Sequence, residues 1–188
     1  DGGTLIITCG FIGQLIGALV SPQLLKYFEK KNLMIYANAL FAVTSIYTYL
    51  LGAEQYSALL ICYTIGIFAF GIMITLLFAM YTDCAEYGEW VSGKNNAGLT
   101  VSASMFSLKA GSALGSAIPA NILAYCAFNN QLSQQSPEVL SGIQLMFNLV
   151  PFIFFVSALA LMFFYKIDSH LLEKIEQELK ARRINNKA

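Results

Sequence analysis

The chain has 188 residues, 57% of them hydrophobic and 12% charged, with eleven Lys and Arg against eleven Asp and Glu. That apolar share lies beyond the range of soluble globular domains, and a net charge of zero gives no electrostatic footprint for nucleic acid. Lipid is the expected solvent, and the length suits one domain.

The opening "DGGTLIITCG" has no Met, no basic n-region and no cleavage-like site, so it is expected to be part of a longer protein and not a signal peptide. Cys9, Cys62, Cys84 and Cys126 are far apart and form no CxxC pair, so no metal or redox role is expected of them. A bilayer core of about 30 Å needs roughly 20 apolar residues in a helix. Five stretches meet or approach that length: residues 4–20, 33–51, 56–81, 98–128 and 143–165. Five such runs joined by short polar loops predict an all-α membrane bundle of five transmembrane helices over residues 1–166. A cytoplasmic tail follows at 167–188.

The positive charges orient it. Lys26, Lys30 and Lys31 follow the first run, Lys94 the third, and Lys166, Lys174, Lys180, Arg182, Arg183 and Lys187 the fifth. The alternate loops, "GAEQ" and "NNQLSQQSPEVLSG", hold no Lys or Arg. By the positive-inside rule the C-terminus lies in the cytoplasm and the first run starts outside, as expected for the C-terminal part of a larger polytopic protein of the cell membrane.

Glycines recur in the first run as Gly10, Gly13 and Gly17, and Ser107, Gly111 and Gly115 repeat every four residues in the fourth. Small residues let helix backbones approach closely in lipid, which predicts tight bundle contacts at both stripes. Pro119 and Pro151 fall inside runs and predict kinks, either static or hinge-like.

The fourth run also carries Lys109, near mid-membrane if the helix starts at Gly98. A central lysine costs about 2.5–3.5 kcal/mol, so it faces a bundle interior or water-filled cavity, snorkels, or has a structural role. Ser102, Ser112 and Ser116 share its helical face, a polar stripe that suits a cavity lining. None of the five runs contains Asp or Glu, so the expected counter-charge lies outside this chain or in the acidic stretch after the third run. That stretch, "YTDCAEYGEW", places Asp83, Glu86 and Glu89 at i, i+3, i+6 if the helix continues, and Gly88 and Gly93 offer points for a sharp turn. It reads either as a solvated loop or as a cytoplasmic gate with Tyr87 that meets positive groups of a partner half.

The tail "IDSHLLEKIEQELKARRINNKA" spaces Leu171, Leu172, Ile175 and Leu179 along one face of an amphipathic helix, lying under the membrane or against the domain. His170 at its start reads as a solvated histidine.

The segment "TDCAEYGEWVSGKNNAGLTVSASMFSLKAGSALGSAIPANIL" resembles the stretch between helices ten and eleven of the glycoside-pentoside-hexuronide:cation symporters, the melibiose permease group of the major facilitator superfamily. Asp83, Glu86, Tyr87, Gly88, Glu89, Trp90, Lys109 and Gly111 fit that pattern without a gap, and "SPQLLKYFEKKN" resembles the connection between helices eight and nine. The resemblance implies helices eight to twelve of a two-bundle fold whose N-terminal bundle is the missing partner. It implies sugar transport coupled to Na⁺, H⁺ or Li⁺ by alternating access, with no other cofactor, and a Lys109 that links the cation site to the sugar. Asn95 and Ala97 depart from the pattern, which usually has Arg and an acidic residue there; Lys94 is the adjacent substitute. The rival expectations are a transporter of another solute such as a lipid, and a membrane assembly subunit or inactive transporter fragment. No enzyme constellation occurs within the runs.

Overall fold

The computed structural model describes residues 2–51, 55–129, 131 and 135–185, apart from the side chains of Arg183 and Asn185. The loop "GAEQ" except Gln55, residues 130 and 132–134 of the other loop without Lys or Arg, and Lys187 lie outside the described residues. The described chain is helical: α1 (Gly2–Leu24), α2 (Lys30–Leu50), α3 (Tyr56–Ser92), α4 (Ala97–Tyr125), α5 (Pro137–Gln144), a π-helical turn (Leu145–Leu149), α6 (Val150–Met162) and α7 (Ser169–Asn185). The α5, π and α6 segments run on as one rod. Among the described residues, α1, α2, α3 and the Pro137–Met162 rod are long and apolar enough to cross a membrane. The Lys109 helix α4 has the length, 29 residues, but its lysine, serines and Asn121 keep it below the apolarity of the others.

α3 is the central post, with α1, α2, α4 and α7 all against it. Its core contact is with α2, where Leu33, Met34 and Ala37 meet Ile72, Met73, Leu76 and Met80, all buried. Phe155 of α6 joins them from the side, its ring centroid 4.2 Å from Phe41 and 6.2 Å from Phe70. Aromatic rings at such separations add to the area they bury.

The two glycine stripes have different fates. In α1 a Cβ on Gly13 would sit 2.9 Å from the Thr64 carbonyl oxygen, and one on Gly17 would collide with the Phe68 carbonyl. Gly71 of α3 makes the reciprocal approach to the Gln14 carbonyl. Three glycines thus let two backbones come together where lipid supplies no hydrophobic drive between helices. The stripe in α4 does nothing of the kind, because a Cβ on Gly111 or Gly115 would meet no atom within 4 Å. The expectation of tight contacts at this stripe is corrected: it borders a cavity of ≈ 440 Å³ shared with Phe70, Pro119, Pro151 and Phe155.

Pro151 acts through its neighbours. It has no N–H to donate to the Phe147 carbonyl, and the turn before it widens so that Val150 N–H reaches Leu145 O. The widened turn carries Asn148, whose Oδ1 accepts from Thr48 Oγ1 at 2.6 Å, while its Nδ2 donates to Gln144 O. A polar bond between α2 and the rod is placed where hydrocarbon offers it no competitor.

Gly17→Leu should therefore destabilise the chain by about 1–3 kcal/mol through overpacking against α3, whereas Gly111→Ala should be neutral or slightly stabilising. Thermal unfolding of both variants in the same detergent checks this, and equal effects would contradict the assignment of close approach to α1 alone.

Candidate functional site

Helix α3 runs on through the acidic stretch, so the solvated-loop reading of "YTDCAEYGEW" is corrected to helix up to Ser92. Gly88 lies inside that helix with open space around it and makes no turn. Gly93 does, with φ of 68° at the left-handed position that ends the helix and its N–H on Glu89 O at 2.9 Å. At about 100° per residue, Asp83, Glu86 and Glu89 fan across roughly 120° of α3 and do not form one line.

Asp83 is turned inward. Lys30, the first residue of α2, reaches both its carboxylate oxygens at 2.7 and 2.8 Å, with side-chain exposures of 32% for the lysine and 7% for the aspartate. A buried carboxylate is costly unless paired, and the bidentate contact satisfies it. Lys31 next to it donates to Tyr165 O at 2.6 Å, just after α6. Two adjacent lysines thus tie the start of α2 to α3 and to the end of the last apolar helix. A cavity of ≈ 200 Å³ lies beside them, walled by Ser169, Leu172 and Glu173 of α7.

Helix α7 leans on the same end of α3, with Ile175 at 0% and Leu179 at 4% exposure, so the tail lies against the domain. Trp90 Nε1 donates to Glu178 Oε2 at 2.7 Å, and Arg182 donates to Trp90 O at 3.1 Å. Tyr87 sits beside Trp90, ring centroids 6.0 Å apart. His170 is exposed. Asn95, where the resemblance expects Arg, accepts from Ala97 N at 3.1 Å and shapes the turn into α4.

Lys109 lies halfway along α4, exposed, its side-chain ammonium with no hydrogen bond or ion pair to any described residue. Ser102, Ser112 and Ser116 are exposed on the same sector and return their hydroxyls to their own helix, on Gly98 O, Lys109 O and Ser112 O. Ser104, the one buried residue of α4 among those described, sits about 140° round the helix from Lys109. The polar stripe therefore faces away from the side by which α4 is held. Among the described residues no group of His, Cys, Asp and Glu could hold a metal ion.

Sequence reasoning singled out Asp83, Tyr87 and Lys109 but missed the partners Lys30, Glu178 and Arg182. Lys30 is 53 positions from Asp83 and Arg182 is 92 from Trp90, separations that carry no local periodic signal.

An all-α bundle of apolar helices, with one polar helix face turned outward and ion pairs gathered at one end, defines a polytopic membrane protein. The chain belongs to the MFS/sugar transport protein family, whose model matches residues 1–169. The glucuronide carrier protein homolog of Escherichia coli (strain K12) is 28% identical over 180 residues, covering 95% of this chain and 39% of that protein. The inner membrane symporter YicJ of the same organism is 28% identical over 178 residues, 92% of this chain and 38% of that one. The isoprimeverose transporter of Lactiplantibacillus pentosus is 28% identical over 170 residues, 87% and 35% respectively. The chain spans less than half the length of these relatives.

Lys30→Ala should cost about 1–3 kcal/mol of stability, less than for a fully buried pair because the lysine is one-third exposed. The double variant Lys30→Asp with Asp83→Lys should recover part of it. Chemical unfolding in detergent measures both, and an unaltered midpoint for Lys30→Ala would rule the pair out as a structural tie.

Proposed function

We propose that the chain is the C-terminal part, helices eight to twelve, of a sugar:cation symporter that works by alternating access in the cell membrane, with its C-terminus in the cytoplasm. The observation that carries the reading is the Lys109 face of α4. A lysine and three serines occupy the middle of a long helix and are left uncovered by the rest of the chain. A charge at that depth needs an interior or aqueous cavity, and secondary transporters place substrate and coupling-ion sites near the midplane between two helical halves. The family and the carriers among its relatives support a sugar as the solute. The missing N-terminal bundle would close the cavity and supply the carboxylate that pairs with Lys109.

In this reading Lys109 links the site of the coupling cation, Na⁺ or H⁺, to the sugar, and Ser102, Ser112 and Ser116 line the path. Asp83, Glu86, Tyr87 and Glu89 sit at the cytoplasmic rim, where Asp83 holds its own half together through Lys30. The rim and the lysine are on adjacent helices joined by the tight Gly93–Asn96 turn, so a movement of one bundle against the other carries both together. The role is transport and not catalysis.

In the full-length parent, Lys109→Ala should abolish cation-dependent sugar uptake while membrane insertion is unchanged, and Lys109→Arg should keep a fraction of it. Uptake into cells or vesicles across a panel of glycosides, pentosides and hexuronides measures this. Unchanged uptake in Lys109→Ala would remove the lysine from the mechanism.

A further inference from the structure

We propose that the C-terminal helix α7 is a clamp that terminates α3, with Glu178 and Arg182 as positioning residues that grip Trp90 by its indole and its carbonyl together. The need for such a clamp arises from how α3 ends. The last carbonyls of any helix have no partner within it. The Glu89 carbonyl is taken by Gly93 N–H, but Lys94 N–H, which would follow in register onto Trp90 O, turns to Ser92 Oγ at 3.3 Å. Trp90 O is left for the guanidinium of Arg182, 92 residues away in sequence. A cation at a helix C-terminus also meets the negative end of the helix dipole.

The second half of the grip is the indole. Its Nε1–H is held by Glu178 Oε2 at 2.7 Å, and the same oxygen lies 4.0 Å from Arg182 Nη2. One carboxylate thus orients both the tryptophan and the arginine that caps its carbonyl. Glu178 and Arg182 are one turn apart on α7, and Ile175 and Leu179, both buried, bring that turn of the helix onto α3. Lys174 lies 4.0 Å from the other Glu178 oxygen, so the carboxylate is flanked by cations on both sides. Two contacts from one face of α7, one to the indole and one to the carbonyl, converge on a single residue, two positions before the end of α3.

The consequence concerns the linker. The Gly93–Asn96 turn into α4 begins three residues after Trp90, so the tail fixes the direction in which α3 hands over to α4. This goes beyond the transport reading and does not depend on it, and its test involves no sugar.

Trp90 is the only tryptophan in the sequence, so its fluorescence reports the grip without labelling. The chain in lipid nanodiscs is compared with Glu178→Ala, Glu178→Gln, Arg182→Ala and Arg182→Lys by acrylamide quenching and by amide hydrogen exchange. Glu178→Ala should raise quenching about twofold and speed exchange over residues 87–93 roughly tenfold, with exchange in the α2–α3 core unchanged. Glu178→Gln keeps an acceptor for the indole and should hold quenching near that of the parent. Arg182→Ala should speed the same amides, with Arg182→Lys intermediate. The proposal is overturned by unchanged exchange at 87–93 in both alanine variants, by Glu178→Gln matching Glu178→Ala in quenching, or by an equal rise throughout the core.

Discussion

The structure depends on the excess length of α3. Thirty-seven residues of helix span about 55 Å, against about 30 Å of hydrocarbon, so the helix projects well past the membrane at one end. The part within the membrane is the post on which α1 and α2 stand. The projecting part carries Asp83 and Trp90 seven positions apart, near one another in helical azimuth, and each is met by a separate piece of the chain. Lys30 fixes the start of α2 to the first, and α7 closes on the second. A helix that stopped at the membrane surface would offer neither attachment, and the turn into α4 would begin from an untethered end.

Two lysines show what the surroundings do to the same side chain. Lys30 is satisfied, with both carboxylate oxygens of Asp83 within 2.8 Å, at the end of the bundle where a lysine stem can still reach water. Lys109 sits mid-helix in α4, where hydrocarbon would cost it about 2.5–3.5 kcal/mol and no described residue answers its charge. The first is a structural tie and the second is unspent electrostatic capacity. The serines beside Lys109 sharpen the contrast, because each hydroxyl already has a backbone acceptor in its own helix and can still accept from a ligand or water.

The apolar runs of α1, α2, α3 and the last rod were legible in sequence because a membrane span is a property of composition over some twenty consecutive residues. So was the polar stripe, which needs only helical periodicity. The end of α3 was less legible. Three carboxylates in ten residues look like a solvated loop until a burial site and a lysine are supplied for Asp83, and both come from α2. The α7 contacts were half legible: the spacing of Ile175 and Leu179 marks an apolar face, but nothing local says whether lipid or protein covers it. The glycine stripes failed in a different way, since Gly13 and Gly17 look like Gly111 and Gly115 in sequence and differ only in whether another backbone stands opposite.

That difference bears on how α4 is held. A helix in lipid gets its position from close contacts and from interhelical polar bonds, because burial from water contributes nothing between apolar surfaces already out of water. α1 has three glycine approaches to α3, and α2 has a buried core together with the Thr48–Asn148 bond. α4 has Ser104 buried, a cavity where its own glycines could have met α6, and a proline on each wall of that cavity. The helix that bears the central lysine is thus the one that its own bundle constrains least. Its fixed point is the Gly93–Asn96 turn, whose position is set by what holds the end of α3, the Lys30–Asp83 pair and the tail helix.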